Sequence, residues 1–335
     1  MKHPAPRPVV RLAALAAAIL GLAGCSSDPS KSGAKGGASK VPDPRVAGSS
    51  GALSEREQRY VRVDTMISRW DGLQSDGQDA EAEGLAAQIR KDVDGDYTAY
   101  VAFARGDKGV RRQYLGVQAL GFATDRSATA ILVDRLAEGD PQLVGNALIA
   151  LKLRSDPETP LPPIDRLMLA KAIEARRFAP LALANVVLAR ERAKRPVTSQ
   201  DAAEAMTGLV GLIQDPDPFV RLHAAKAMGA LRRSEAIDFL VLLLRDEHSR
   251  IRVAAAAALE RIGEPRAFPQ VVALLDGTDE DVKPFVRDVL FSYAERLTGS
   301  PLSEAQRTSL GISARNWDRW FAERQKSGAS LRKAG

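Results

Sequence analysis

Beyond residue 53 the hydrophobic positions follow helical spacing almost everywhere, and short Asp/Pro/Gly turns interrupt them. Period-2 alternation is nearly absent, which predicts helices and no sheet. Sliding the chain on itself exposes a period of 31 residues. In Asp217-Pro218-Phe219-Val220-Arg221-Leu222-His223-Ala224-Ala225-Lys226-Ala227-Met228, the Val-Arg, Ala-Ala and Ala-Met pairs return as Ile251-Arg252, Ala255-Ala256 and Ala258-Leu259. A second helix follows each, through Ile237, Leu240 and Leu244, then Phe268, Val271 and Leu275. Val282, Val286, Val289 and Leu290 fill the same slots once more.

Upstream, Asp140-Pro141-Gln142-Leu143 with Ala147-Leu148 and Ala150-Leu151 repeats the pattern, as do Gly116-Val117 and Ala119-Leu120. The interval from Leu143 to Val220 is 31 + 46 residues, so a longer, irregular unit is expected over roughly 160–214, with candidate helices at 164–174, 181–192 and 200–213. Residues 53–70, 80–93 and 97–103 also read as helical but do not align to the repeat.

The unit has a direct physical logic. Alanines on the first helix let its neighbour approach closely, while large aliphatics on the second fill the layer between units. Neither helix buries its apolar stripe alone, but stacked pairs share one core. Asp-Pro supplies a capping acceptor and a proline where a missing N–H is harmless. Ser234 and the Glu264-Pro265 step are expected to start second helices in the same way.

These residues resemble HEAT repeats of the short type found in phycobilin lyases, with the pattern D-x-x-V-R-x-x-A-A-x-A-L-G. Asp217, Val220, Arg221, Ala224, Ala225, Ala227, Met228 and Gly229 match it, and Lys283 departs from it in the third unit. The resemblance covers 217–246, 248–277 and more weakly 279–298. It implies an all-α fold, an α-α superhelix or HEAT-repeat solenoid, over 53–323, with 324–335 a disordered tail. It specifies fold and leaves function open.

Composition adds an address. Residues 1–11 are basic, residues 12–22 form an apolar run too short to span a bilayer, and Leu22-Ala23-Gly24-Cys25 follows. This resembles the lipobox of bacterial lipoproteins. The resemblance implies that 1–24 is a signal peptide, that Cys25 carries the lipid (thioether diacylglycerol plus an acyl chain such as palmitate), and that the protein is anchored in the cell envelope. Ser26 resembles the outer-membrane class. Residues 25–52, rich in Ser, Gly, Ala and Pro, read as a disordered tether.

The formal net charge of +6 sits mostly in these first 52 residues and leaves +1 for the rest, which argues against nucleic acid as a partner. One cysteine and three histidines leave little material for a metal centre, so no metal and no cofactor are expected. Asp92-Val93-Asp94-Gly95-Asp96 looks like a calcium loop, but Tyr97 and Phe103 occupy the positions that need Gly and Glu. His223 and His248 cannot supply the several His-Glu pairs of the di-iron HEAT-repeat hydroxylases; His223 reads as structural. No G-x-S-x-G, H-E-x-x-H, P-loop or C-x-x-C is present.

The remaining candidates concern surfaces. Arg221 and Arg252 recur at one repeat position and read as an Arg–Asp network between units, with Asp215, Asp217 or Asp246 in reach. Trp317, Trp320 and Phe321 share one helical face and read as a cap on the open end, or as docking aromatics. Trp70 reads as a similar cap near the other end. Asp134, Arg135, Asp238, Arg245, Arg266 and Gln270 are expected to face outward from the second helices as a partner surface. The expected function is a membrane-anchored, non-catalytic scaffold for protein partners. The alternative is a HEAT-repeat enzyme or chaperone, lyase-like or oxidoreductase-like, with its site in 160–214.

Overall fold

The computed structural model describes residues 53–277 and 279–326. Cys25, the signal segment, the tether and residues 327–335 lie outside the described residues. Sixteen α-helices and no strand occur among the described residues, which divide into two compact units. One comprises residues up to Thr98 together with Phe122–Thr124; the other comprises Ala99–Gly121 and everything from Asp125 onward.

In the first unit α1 (Glu55–Ser75) packs on α2 (Asp79–Asp94), and α3 (Tyr97–Ala104) begins. Ser54 and Glu57 start α1 with a capping box. Tyr60, Val63, Ile67 and Trp70 recur every three to four residues on α1 and are buried, facing buried Leu85, Ile89 and Val93 of α2. Trp70 meets Phe122 edge-on, with centroids 5.2 Å apart. The aspartates that look like a calcium loop are bound within the unit. Asp96 accepts from Arg56 at 2.8 and 2.7 Å and from Tyr60 Oη at 2.9 Å; Asp94 accepts from Thr124 N and Oγ1, both at 2.9 Å; Asp92 pairs with Arg62 at 3.1 Å.

The second unit is a stack of helix pairs. Its first helices are α4 (Val110–Leu120), α6 (Pro141–Arg154), α8 (Ile173–Arg192), α10 (Pro218–Leu231), α12 (Ser249–Ile262) and α14 (Lys283–Thr298). Each packs on the next, so they form one layer. The second helices are α5 (Ser127–Arg135), α7 (Pro162–Leu167), α9 (Ser199–Leu212), α11 (Ile237–Leu243) and α13 (Phe268–Val272). The chain closes with α15 (Glu304–Leu310) and α16 (Ala314–Lys326), the latter running three residues into the segment expected as a tail.

Local chemistry explains the pairs. Asp140 caps α6 by accepting from Gln142 N at 2.9 Å, and Asp217 caps α10 by accepting from Phe219 N at 2.9 Å and Val220 N at 3.2 Å. The second helices start differently from expectation. Short 3₁₀ turns, Ser234–Ala236 and Pro265–Ala267, lead into α11 and α13, and neither Ser234 nor Glu264 caps with its side chain. Helices α6, α10 and α12 stop on the left-handed residues Ser155, Arg232 and Gly263, which stand in one repeat register. Close approach within the first-helix layer needs small residues: a Cβ on Gly229 would stand 2.8 Å from Ala258 Cα.

The region expected to be irregular belongs to the same stack. Instead of two helices broken near residue 180, α8 runs twenty residues through Pro180, and the expected helix at 164–174 shortens to α7. Pro180 forfeits one ladder hydrogen bond, but packing of α8 between α6 and α10 holds the helix together. The extra length is carried by α8 and α9 and creates no additional layer.

Candidate partner-binding surfaces

Arginines on the first helices tie successive pairs together. Arg221 donates to Asp246 through Nε at 2.7 Å and Nη2 at 3.1 Å, and through Nη1 to the Asp215 carbonyl at 2.9 Å. Arg252 repeats this one unit on, pairing with Asp279 and donating to the Asp246 carbonyl at 2.8 Å. Arg176 completes the series: its Nε reaches Asp215 at 2.7 Å and its Nη1 the Ala170 carbonyl at 3.1 Å. Asp215 and Asp246 thus each serve two rungs, the side chain for the arginine before it and the carbonyl for the arginine after it. Arg221 and the Asp215 and Asp246 carboxylates are largely shielded from water, where paired, charge-assisted bonds are strongest. Pairing with Arg221 holds the Asp246 carboxyl below the usual range despite burial. These arginines are consumed by the fold.

Arg176 was not singled out in the sequence, although the signal is there. Ala175-Arg176, Ala179-Pro180 and Ala182-Leu183 occupy the Val-Arg, Ala-Ala and Ala-Met slots, 45 residues before Arg221. The proline hides the match.

His223 is buried, with Nδ1 2.7 Å from the Arg177 carbonyl, so Nδ1–H donates. Burial pushes the imidazole down to about 4 and keeps it neutral. His248 lies against the ladder, its Nδ1 3.3 Å from Arg221 Nη2. Among the described residues, no group of three or more His, Cys, Asp and Glu side chains is placed to hold a metal ion.

Of the residues expected on the partner surface, Asp134, Asp238, Arg245, Arg266 and Gln270 are exposed. Arg135, the last residue of α5, is half-buried and pairs with Glu138 at 2.8 Å, three residues past the helix end. Arg266 pairs with Asp238 at 3.1 Å and donates to the Ser234 carbonyl at 3.2 Å, so these two residues clasp adjacent second helices. At the C-terminal end Trp317, Trp320 and Phe321 are buried around Phe268, with ring centroids 5.9, 5.6 and 5.0 Å from it. Trp317 Nε1–H donates to the Gly311 carbonyl at 3.1 Å. Beside them Gln306, Ser309, Asn316, Arg319 and Trp320 line a hollow of about 300 Å³.

Helix α7, packed against α8 and α9, holds a group that sequence patterns do not mark. Asp165 on α7 is 8% exposed, and among the described residues neither carboxylate oxygen has a hydrogen-bond partner. Burial, reinforced by Asp201 and Glu204 against Arg190, pushes its carboxyl up to about 7. Nearby, the Arg190 guanidinium donates to the Pro157 and Thr159 carbonyls, at 3.1 and 2.9 Å, and pairs with Asp201 at 4.0 Å.

Residues 206–287 match the family model of HEAT repeats. Among solved structures, an engineered protein from the Northeast Structural Genomics Consortium is 18% identical with a TM-score of 0.50, covering 82% of this chain and 79% of its own. A second engineered protein from the same consortium is 19% identical at a TM-score of 0.45, over 65% of this chain and 99% of its own. A computationally designed armadillo repeat protein for modular peptide recognition is 18% identical at 0.40, over 69% and 99%. No curated protein matches the chain. The fold is an all-α solenoid of HEAT-like helix pairs.

Proposed function

We propose that this chain is a lipid-anchored, non-catalytic scaffold that holds protein partners in the bacterial cell envelope. The observation that carries the binding half is the run of helix pairs stitched by Arg176, Arg221 and Arg252. A stack fixed by internal rungs presents side chains at set intervals without having to reorganise on binding, which lowers the entropic cost of association. The anchoring half rests on Leu22-Ala23-Gly24-Cys25 and the basic, then apolar, residues before it. Two or more acyl chains hold a protein at a membrane where a single chain does not.

The test of the anchor is metabolic palmitate labelling. The parent takes up label and stays in the membrane fraction through a high-salt wash, whereas Cys25→Ser takes up none and is recovered uncleaved or soluble. Label or membrane retention in the variant overturns the anchor. For the scaffold, cross-linking in native envelopes gives a discrete complex with a protein partner; a chain that never cross-links overturns it.

The second reading, an enzyme or chaperone with its site in 160–214, has Asp165 in its favour, because a raised carboxyl suits general acid chemistry. Both of its oxygens are shielded from water, however, so a substrate reaches them only if α7 and α9 part.

A further inference from the structure

The first-helix layer carries an apolar strip across successive helices. Ile149 and Leu153 on α6, Phe178 and Leu181 on α8, Leu222 on α10 and Val253 on α12 are all half-buried. Lys226 stands in the middle of this strip, one turn beyond Leu222 and in repeat register with Ile149, Leu181 and Ala257. It too is half-buried, and among the described residues no hydrogen bond or ion pair holds its ammonium.

The charges that bear on Lys226 are Lys152 and Arg250, both repulsive, and burial with this repulsion brings the ammonium down to about 8. The other ladder charges of the layer are matched internally: Arg177 by Asp217, Arg221 by Asp246, Arg252 by Asp279. Lys226 differs: it stands between aliphatic side chains and the neighbouring cations Lys152 and Arg250, and among the described residues no carboxylate pairs with it to offset its desolvation. An anionic group brought by a partner would relieve that cost and would be selected by it. The half-buried aliphatic side chains around Lys226 suit a carboxylate carried between apolar side chains; a polyanion would need a polar floor.

We propose that the first-helix face around Lys226 docks an extended protein segment in which a single aspartate or glutamate, flanked by aliphatic side chains, pairs with Lys226. This rests on the scaffold reading and assigns the contact to the first helices, not to the second helices that carry Asp238, Arg245 and Gln270. With packed helices about 8–10 Å apart, crossing from α6 to α12 takes about eight extended residues.

The probe is a labelled peptide of that length, alternating valine and serine around a central aspartate, with a twin carrying asparagine. Fluorescence anisotropy is read on the full-length chain in detergent. The aspartate peptide is expected to bind roughly tenfold tighter than its twin, a margin typical of one charge-assisted contact. Lys226→Met, which keeps the apolar stem, removes the preference; Lys226→Arg keeps it. A melting temperature for Lys226→Met at or above the parent's shows that the fold is intact. Equal binding of the two peptides overturns the inference, as does a preference that survives Lys226→Met. So does Lys226-dependent binding to phosphatidylglycerol vesicles without peptide preference. Photo-cross-linkers at Ala257 and Arg245 in native envelopes separate the two readings. Protein adducts from Arg245 alone overturn this inference and leave the scaffold standing, and adducts from neither position overturn both.

Discussion

Arg221 and Arg252 are 31 residues apart, whereas Arg176 and Arg221 are 45 apart, yet all three make the same contacts. The short pairs, α10–α11 and α12–α13, are packed at backbone level, with Gly229 against Ala258. The long pair, α8–α9, keeps the arginine rung and the small residues of its first helix, but it also holds Pro180 inside a helix and stands beside the unpartnered Asp165. Spacing along the chain and register in space are therefore separable. The rung fixes register, and surplus residues lengthen helices around it. The short pairs are locally consistent at every level, and the long pair carries the exceptions, as expected where stability has been spent on something else.

The largest expected effect tests whether the rung is one device in both regions. Arg221→Ala leaves the Asp246 carboxylate, 7% exposed, without its cation; Arg176→Ala does the same to Asp215, 6% exposed. Breaking a buried pair from one side costs about 3–5 kcal/mol. Chemical denaturation of the two variants should give losses of this size and equal to within about 1 kcal/mol. A nearly neutral Arg176→Ala would show that the long pair is an insertion held by other means.

A smaller, pH-dependent effect should come from Asp165 on α7, beside the long pair. The Asp165 carboxyl lies at about 7 in the fold against 3.8 as a free side chain, so the folded chain binds a proton that the unfolded chain has released. The sign follows: this contribution to stability is complete below pH about 4, declines as pH rises, and is fully lost above about 7. From pH 5 to 7 the decline is about 2 kcal/mol. Asp165→Asn should flatten that slope and be the more stable protein at pH 8. A parent whose midpoint does not fall between pH 5 and 8 relative to the variant would mean that water reaches Asp165.

The same contrast decides what was legible in the sequence. The all-α class, the 31-residue period, the Asp217 cap and the Arg221 and Arg252 rungs follow from local pattern, because each is a short-range consequence of residue type and spacing. The break at Pro180 was misread because a proline usually ends a helix; tertiary packing on both sides of α8 overrides it. Register gives the face of α5 that Arg135 occupies but not its ion pair with Glu138 past the helix end. Asp165, Asp201 and Glu204 are unremarkable in sequence, since their proximity depends on how α7 and α9 meet. Lys226 looks like an ordinary solvated lysine until the helices on either side are in place. Cys25, by contrast, stands in a motif read wholly from sequence.

The smallest effects test the packing of the two regions directly. Alanine is favoured over glycine inside a helix by about 1 kcal/mol wherever the backbone and surroundings allow it. A methyl group on Gly211 of α9 would meet no neighbouring atom within 4 Å, and its φ is not positive, so Gly211→Ala should gain most of that ~1 kcal/mol. At Gly229 the same methyl would stand 2.8 Å from Ala258 Cα and Cβ. The contact is with backbone as well as side chain, so α10 and α12 must separate, at an overpacking cost of about 2 kcal/mol. Subtracting the propensity gain leaves Gly229→Ala about 1 kcal/mol less stable than the parent. Paired urea titrations should show midpoints moving in opposite directions. If Gly229→Ala is neutral, the short pairs are looser than the contact at Ala258 implies. Their difference from the long pair is then one of helix length alone.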